Sequence, residues 1–360
     1  MRFKASSFLS TRGALLAPPG SRLVLPMILA IVLAISAVPA HADVALNIIA
    51  TFDSTIASDP NAAAIEATIN QAISFYETTF TTHTAAPIGV TIDFQEMATG
   101  LGQSNTTLYK VSYQSFINAL TAANSTDATD IAALAGLPTG PNNPVTGSTS
   151  INAKTAELRA LGYTGVPPGG GFDGTIGLAT SITTPGSPGS TLGYSLLAVT
   201  EHEIDEVLGL GSDASGTGFF ADPAPEDLFR YSGAGVRSYS GNANANCATA
   251  PTAFFSLNGT TDLAQFNNCT NGGDYGDWQS DPLPGGVNPK VQDAFATPGS
   301  TPSLSATSPE SVALDALGYN LAGQQNPVPE PTSLALFGSV LAVTGFVTRR
   351  RAGLRRNQQS

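Results

Sequence analysis

Residues 194–211 read YSLLAVTEHEIDEVLGLG and determine how the fold of this chain is interpreted. His202 and Glu206 are four positions apart, so on a helix their side chains lie one above the other and can reach the same ion. Glu203 lies one step round the helix, where a carboxylate can act as general base on a metal-bound water. The stretch predicts a metal-binding helix in which a glutamate replaces the second histidine of an H-E-x-x-H motif.

The chain before this helix has the pattern of a mixed α/β domain. Residues 44–52 and 88–94 are apolar and β-branched, which predicts strands, and a helix opens at Asp59 and extends to Phe80. A strand is also predicted just before the metal-binding helix, at residues 172–182, where its edge could hold an extended peptide. Further helices are predicted at residues 113–123, 130–137, 152–161 and 313–319.

The N-terminal segment, residues 1–42, has the composition of a secretory signal peptide. Its first 22 residues carry basic side chains and no acid, residues 23–38 are mostly apolar, and Ala-His-Ala follows at residues 40–42. This order predicts cleavage after Ala42, and an N-terminal membrane anchor is the less favoured alternative.

The C-terminal segment, residues 323–360, has three parts. They are the sequence Pro329, Glu330 and Pro331, the apolar residues 332–348, and a basic cluster that begins with Arg349, Arg350 and Arg351. The apolar part is long enough to cross a bilayer, with the arginines on the cytoplasmic side. This ending resembles the PEP-CTERM sorting signal of Gram-negative bacteria. The resemblance implies transient anchoring in the inner membrane, removal of the tail by an exosortase-type enzyme, and delivery to the cell surface or extracellular matrix; a permanent tail anchor is the alternative.

The charge balance restricts the partners of the exported part. The whole chain has a formal net charge of −12, and most of its 15 basic residues lie in the two terminal segments. The exported part is therefore strongly acidic, which disfavours binding to nucleic acid or to anionic lipid.

Cys247 and Cys269 are the two cysteines of the chain. In an oxidising compartment an even pair predicts a disulfide, which would close a loop of about twenty residues and stabilise the fold by roughly 3 kcal/mol. Metal binding by these cysteines is a weaker alternative, because no C-x-x-C spacing is present.

A catalytic zinc site needs three protein ligands and a water molecule. The other histidines are His41, in the predicted signal peptide, and His83, far from the motif, so carboxylates must complete the site. The residues alone leave two candidates for the third ligand. Asp213 follows the helix closely but lies one position late for the extended form of the motif, and Asp277 follows a glycine-rich loop beyond Cys269.

Five motifs follow one another along the chain. They are HEIDEVLG at 202–209, EDLFRYS at 226–232, FFSLNG at 254–259, GDYGDW at 273–278 and LDALGY at 314–319. In this order they resemble a family of exported bacterial proteins that are classed as predicted zinc metalloproteases and whose helix reads H-E-I-x-E. The resemblance implies that His202, Glu206 and Asp277 bind one zinc ion, with Asp213 as the alternative third ligand, and that Glu203 is the base.

The same resemblance implies an α/β (α+β) zincin-like fold, with a mixed twisted sheet and an active-site helix. We expect a zincin-like subdomain over residues 43–211 and a loop-rich subdomain over residues 212–322 that contains the predicted disulfide. Tyr231, Tyr275 and Tyr319 could each stabilise an oxyanion, although packing in the core is the commoner role of a tyrosine.

The function expected from these patterns is that of an exported zinc-dependent metallopeptidase, in which a metal-bound water attacks a peptide bond. One imidazole and two carboxylates form a harder donor set than two imidazoles, so another divalent metal such as manganese or calcium is also compatible. The expected partners are signal peptidase, the sorting enzyme and a protein or peptide substrate. The alternative is a non-catalytic surface or matrix protein that keeps the scaffold with a structural ion or none.

Overall fold

The computed structural model describes most of the chain between Asp43 and Gly323. The described residues are 43–84, 86–123, 127–185, 193–216, 218–219, 222–238, 241–280 and 289–323. All of them belong to one compact unit, His41–Asn326. Within these ranges no helix is long and apolar enough to cross a membrane. The predicted signal peptide, residues 1–42, and the predicted membrane segment, residues 332–348, lie outside the described residues.

The described part is a mixed α/β structure with several sheets and helices. The helices are α1 (Ser54–Ala57), α2 (Ala62–Thr79), α3 (Tyr113–Ala123), α4 (Ala128–Ala135), α5 (Thr155–Ala160), α6 (Leu196–Leu208) and α7 (Pro309–Ala316). The strands are β1 (Val44–Ala45), β2 (Asn47–Phe52), β3 (Phe80–Thr82), β4 (Gly89–Glu96), β5 (Gly102–Thr106), β6 (Leu108–Ser112), β7 (Ser150–Lys154), β8 (Gly174–Leu178), β9 (Thr183–Thr184), β10 (Tyr194–Ser195), β11 (Ala214–Ser215), β12 (Gly218–Phe219), β13 (Arg230–Gly233), β14 (Val236–Arg237), β15 (Phe254–Phe255), β16 (Ala264–Gln265) and β17 (Asn320–Leu321). Short 3-10 helices lie at Gly169–Gly171 and Pro225–Phe229.

A four-stranded sheet with the order β2-β4-β8-β5 supports the candidate site. Strands β2, β4 and β8 are parallel, and β5 is antiparallel to β8. Alternate side chains of β4 are buried in the core, namely Val90, Ile92 and Phe94, as the period of two in a strand requires. Because β8 is paired on both sides, the prediction that its edge is open to a peptide is wrong. The two edge strands of the sheet are β2 and β5, and β5 is the one that contacts the helix with the H-E-x-x-E motif.

Helix α6, which carries the H-E-x-x-E motif, packs against α2 and against strands β5 and β8. Helix α2 buries one apolar face, which includes Ile69 and Tyr76. The hydroxyl of Tyr76 donates hydrogen bonds to the carbonyl oxygen of Glu201 at 2.7 Å and to Oδ1 of Asp205 at 2.9 Å. These bonds fix the buried side of α6 and leave its other side available for the site.

The region after α6 folds back onto the first half of the chain. Strand β17 pairs with β3, and the hydroxyl of Tyr319 donates to the carbonyl oxygen of Leu208 at 2.8 Å. Trp278 is completely buried, with its ring centroid 5.7 Å from that of Phe255 and 5.1 Å from that of Phe266. Residues on both sides of position 211 therefore share one core.

Several predicted elements differ from the structure in their bounds. Residues 44–52 form two strands that are interrupted at Leu46, whose N–H donates to the carbonyl oxygen of Phe80 at 3.1 Å. The predicted helix 152–161 begins only at Thr155, because the residues before it pair with β6 as strand β7. Strands β5 and β6 were not predicted. The predicted helix 113–123 has the bounds of α3.

Candidate metal centre

Helix α6 directs its two candidate ligands away from the core. Ser195 caps the helix, since its side-chain oxygen accepts the N–H of Ala198 at 3.2 Å. The apolar side, which includes Ile204, is buried. His202 and Glu206 lie on the opposite side, where their side chains are 16% and 14% exposed.

His202, Glu206 and Asp277 each offer one ligand atom, and these atoms lie within 4.8 Å of one another. Nε2 of His202 is 3.7 Å from Oε1 of Glu206 and 3.7 Å from Oδ1 of Asp277. Two ligand atoms of a tetrahedral zinc ion are about 3.4 Å apart, because each bond is about 2.0–2.1 Å long. The three side chains can therefore reach one divalent ion with only small movements.

The imidazole of His202 is oriented for metal binding by a backbone carbonyl. Its Nδ1 lies 3.0 Å from the carbonyl oxygen of Val291. A carbonyl oxygen only accepts hydrogen bonds, so Nδ1 carries a proton and Nε2 is the nitrogen left for an ion. Histidines that bind metals commonly donate their second nitrogen in this way.

The two carboxylates are held by hydrogen bonds from neighbouring side chains. Ser104, on the edge strand β5, donates to Oε2 of Glu206 at 2.5 Å and leaves Oε1 directed at His202. Gln292 donates its Nε2 to Oδ1 of Asp277 at 3.0 Å. Each candidate ligand thus has a partner that restricts its position, as metal ligands usually do.

The loop that carries Asp277 is fixed by a buried arginine. Arg230 donates from Nη1 to the carbonyl oxygen of Tyr275 at 2.6 Å and from Nη2 to Oδ1 of Asn268 at 2.9 Å. Its guanidinium lies 4.2 Å from the ring centroid of Phe266, and its side chain is fully buried. Such a planar group with several donors holds the loop in one conformation.

Cys247 and Cys269 form a disulfide, with their Cα atoms 5.2 Å apart. Between the bridge and the site lies Asn267, whose N–H donates to the carbonyl oxygen of Asp277 at 2.7 Å. The disulfide therefore restrains a segment that contacts the Asp277 backbone directly.

Glu203 lies beside the ligands, where β5 passes over α6. It is only 5% exposed, and its Oε2 has no hydrogen-bond partner among the described residues. Gly102 comes so close that a Cβ at this position would lie 2.3 Å from Oε1 of Glu203. The missing side chain at position 102 therefore leaves the space that the Glu203 carboxylate occupies.

Negative charge is concentrated around the single imidazole of the cluster. Burial opposes the charged form of His202, but Asp277, Glu206 and Glu203 outweigh it and raise its pKa well above the usual value. Burial raises the pKa of Asp277 to about 7 although His202 lowers it. Burial also opposes ionisation of Glu206, but His202 outweighs this effect and lowers its pKa to about 2.

The pKa of Glu203 is raised to about 9, first by burial and then by the charge of Glu206. In the ion-free site its carboxyl group is protonated at neutral pH, although the charge of His202 lowers its pKa. A divalent cation beside it would favour the ionised form, since nearby positive charge lowers the pKa of an acid.

A cavity of about 300 Å³ opens beside the cluster. Its walls include residues 102–104 of β5 on one side and parts of residues 289–302 on the other, with His202, Glu203 and Glu206 between them. The outer side of β5 has no strand partner in the described part of the chain. The cluster is thus open to a small molecule or an extended chain.

Asp213 lies outside this cluster. Its Oδ2 accepts a hydrogen bond from Nδ2 of Asn152 at 3.0 Å, and its N–H donates to Oδ2 of Asp227 at 3.0 Å. It lines a separate cavity of about 230 Å³. The structure places Asp277, and not Asp213, next to His202.

The other histidine of the described residues, His83, is not part of the cluster. His83 pairs with Asp43, with Nδ1 2.9 Å from Oδ1. His41 lies outside the described residues. The sorting-signal residues Pro329, Glu330 and Pro331 and the arginines after them lie outside those residues as well.

The three tyrosines considered as oxyanion donors do not line the cavity at the cluster. The hydroxyl of Tyr319 donates to Leu208, and that of Tyr275 donates to a backbone carbonyl at 2.7 Å. Tyr231 is buried with the guanidinium of Arg237 4.8 Å from its ring centroid. All three side chains are engaged in packing and hydrogen bonding away from the site.

A second group of carboxylates, Asp127, Asp130 and Asp315, lies buried where α4 meets α7, within 4.8 Å of one another. Burial and then Asp315 raise the pKa of Asp130 to about 8, and burial and then Asp127 raise that of Asp315 to about 7. Protonation of Asp130 and Asp315 reduces the repulsion between the carboxyl groups of this cluster.

Sequence reasoning did not identify four residues that shape the site: Gly102, Ser104, Val291 and Gln292. They belong to a polar strand and to the segment KVQDAF at residues 290–295, and neither carries a recognisable motif. Only a glycine within an otherwise strand-like stretch could have indicated a close approach of another element.

Comparison with known proteins identifies the C-terminal segment alone. Residues 327–351 match the PEP-CTERM protein-sorting motif. No curated protein matches the chain, and no solved structure matches it. The motif supports an exported protein that is sorted at the membrane by an exosortase-type enzyme, as the tripartite ending predicts.

Proposed function

We propose that this chain is an exported metallopeptidase that binds one divalent ion, zinc in the first instance, through His202, Glu206 and Asp277. The observation that carries the proposal is the convergence of the three ligand atoms within 4.8 Å at an open cavity. Two carboxylates balance the charge of a divalent ion, and the Val291 carbonyl holds Nδ1 of His202, so that Nε2 is the nitrogen that faces the two carboxylates. A helix with this motif beside a sheet with an antiparallel edge strand supports a zincin-like fold.

The chain's own residues would divide the chemistry of peptide hydrolysis between them. A zinc ion supplies Lewis-acid polarisation of oxygen. Glu203 takes a proton from the water that attacks the carbonyl carbon and returns it to the leaving nitrogen as the C–N bond breaks. Strand β5 binds the substrate as an additional strand through its free backbone edge, which places a peptide beside Glu203.

A non-catalytic role with a structural ion is the second candidate. Burial and the charge of Glu206 raise the pKa of Glu203 to about 9 in the ion-free site, so a bound ion must lower this pKa before Glu203 can act as a base at neutral pH. In either case we propose that the sorted protein resides at the cell surface or in the extracellular matrix, since the sorting motif implies export and sorting at the membrane.

Glu203→Gln separates these two functions. We expect this variant to keep the zinc content of the wild type and to lose cleavage of a casein substrate by at least about a hundredfold, the range of general acid–base catalysis. Zinc content and fluorescent-casein hydrolysis are measured on the same purified samples. A variant that cleaves at the wild-type rate would refute the role of Glu203. A wild type that holds zinc but cleaves none of a broad set of peptides would favour the structural role.

A further inference from the structure

Gln292 contacts two of the three candidate ligands with the end of one side chain. Its Nε2 lies 3.2 Å from Nε2 of His202 and 3.0 Å from Oδ1 of Asp277. The residue is completely buried. Its amide therefore lies at the back of the cluster, on the side away from the solvent.

The amide end of Gln292 lies where a further ligand atom of the same ion would lie. Atoms that share one zinc ion are about 3.4 Å apart, and the amide end of Gln292 is 3.0–3.2 Å from two such atoms. An ion bound to His202 and Asp277 would thus be within bonding reach of the Gln292 amide.

The orientation of the amide would not suit a bound ion. At present its Nε2 is the amide atom that faces Nε2 of His202 and Oδ1 of Asp277, the two atoms that an ion would use, while Oε1 is buried without a hydrogen-bond partner in the described part of the chain. A half-turn of the amide exchanges the oxygen and the nitrogen with little change in shape. The half-turn removes the contact between an N–H group and a cation and turns Oε1 toward the ion, and the hydrogen bond from Nε2 to Asp277 is lost in exchange.

We propose that Gln292 is a fourth protein ligand, which binds the divalent ion through Oε1. The inference rests on the proposed function, because it assumes an ion at His202, Glu206 and Asp277. The donor set then contains one nitrogen and three oxygens.

The backbone around Gln292 is well fixed for this role. Its N–H donates to Oε1 of Glu310 at 3.1 Å, and its carbonyl oxygen accepts the N–H of Trp278 at 2.8 Å. The preceding residue, Val291, accepts the hydrogen bond from His202. One dipeptide therefore orients the imidazole and adds a ligand of its own.

The fourth ligand has a consequence for the choice of metal. A four-coordinate zinc ion with four protein ligands has no position for water, so catalysis requires a five-coordinate ion. An oxygen-rich set of this size also suits manganese better than a site of two imidazoles does.

Two variants distinguish a ligand from a hydrogen-bond donor. Gln292→Glu keeps an oxygen at the same distance but cannot donate to Asp277, and Gln292→Leu removes both properties. We expect the Kd for Zn²⁺, measured by competition with a chromophoric chelator, to weaken at least tenfold in Gln292→Leu and to stay at or below the wild-type value in Gln292→Glu. Thermal unfolding of the ion-free proteins serves as the control for folding.

A crystal structure of the zinc-loaded wild type provides a second measurement that needs no variant. We expect Oε1 of Gln292 at about 2.1 Å from the ion, and a nearest Gln292 atom beyond about 3 Å would overturn the proposal. Equal weakening in both variants, or unchanged Kd in Gln292→Leu, would also overturn it while the three-ligand site stands. A wild type that binds no zinc would instead refute the proposed function and this inference together.

Discussion

His202 is the side chain on which the candidate site depends most, because within the described ranges it is the one histidine of the cluster. The titratable groups that face it are the carboxyl groups of Glu203, Glu206 and Asp277, and the ion-free site holds protons in place of a metal ion. A metal ion must displace these protons to bind. The chemistry of the site therefore depends on pH at the level of single residues.

Zinc affinity should fall as the pH falls. Because the pKa of His202 is raised well above its usual value and that of Asp277 is raised to about 7, the number of protons that compete with the ion increases below about pH 7. We expect the Kd to weaken by roughly tenfold per pH unit for each proton displaced, and more steeply below about pH 7. Competition titrations between about pH 5.5 and 8.5 measure this, and a constant Kd would contradict it. Asp213→Asn should show the wild-type dependence, since Asp213 lies outside the cluster.

The residues of the site differ in how far the sequence could predict them. His202 and Glu206 are related by one turn of a helix, which is a local property of the sequence. Asp277 is one of two candidates that the residues leave for the third ligand, and a family resemblance favours it over Asp213. Gln292, which is 90 positions from His202, carries no local pattern at all. Residues brought together by long-range packing need the folded structure to be recognised.

The crossing of strand β5 over helix α6 sets the position of the proposed base. The strand comes closest to the helix at Gly102. A side chain at this position would collide with Glu203 and Val199. The crossing therefore couples the edge strand, where we place the substrate, to the acid–base group.

Gly102→Ala should displace the Glu203 carboxylate. We expect casein cleavage to fall at least tenfold while the Kd for zinc changes by less than about threefold, and unfolding to become easier by about 1–3 kcal/mol through overpacking. Hydrolysis, zinc competition and urea unfolding measure the three effects. Gly140→Ala is the matched control, because nothing lies within 4 Å of a Cβ there. Wild-type cleavage by Gly102→Ala would show that β5 does not position the base.

The junction of α4 and α7 should make stability depend on pH. Asp130 is 2% exposed and faces Asp127, Asp315 and Asp43, and its pKa is about 8 in the fold against about 3.9 in the unfolded chain. An acid with a raised pKa stabilises the fold fully below its unfolded value and loses this contribution as the pH rises through the folded value. The free energy of unfolding should therefore decline between about pH 4 and 8.

Asp130→Asn tests this junction, because asparagine has the same shape and does not ionise. We expect the variant to lose less stability than the wild type between about pH 5 and 8, with a remaining slope from Asp315 and other buried acids. Urea unfolding in the presence of a chelator measures the difference. An identical pH dependence in the two proteins would rule out Asp130 as the cause.

The elements that the sequence failed to predict are those whose pairing is decided elsewhere in the fold. Strand β5 reads GQSNT and has no alternation of buried and exposed side chains, because it lies at the edge of its sheet. Its conformation is fixed by pairing with β8. Strand β7 precedes α5 without a break, and only its pairing with β6 determines where the helix begins. The apolar strand β4 and the amphipathic α2 and α3 were predicted because burial of their side chains follows from local periodicity.

On the scale of the whole molecule, the proposed ion would join segments that are far apart in the chain. His202 and Glu206 belong to the helix after the first sheet, Asp277 follows the disulfide-bridged segment, and Gln292 comes later still. Ion binding should thus stabilise the packing between residues before and after position 211. The pairing of β17 with β3 and the hydrogen bond from Tyr319 to Leu208 join the same two parts of the chain.

The most direct measurement of the central claim is the zinc content of the purified chain. The protein is loaded with zinc sulfate, desalted and analysed by inductively coupled plasma mass spectrometry, together with His202→Ala and Asp213→Asn. We expect about one zinc ion per chain in the wild type and in Asp213→Asn, and almost none in His202→Ala. A wild type that retains no zinc, or a His202→Ala variant that retains as much as the wild type, would contradict the metal centre.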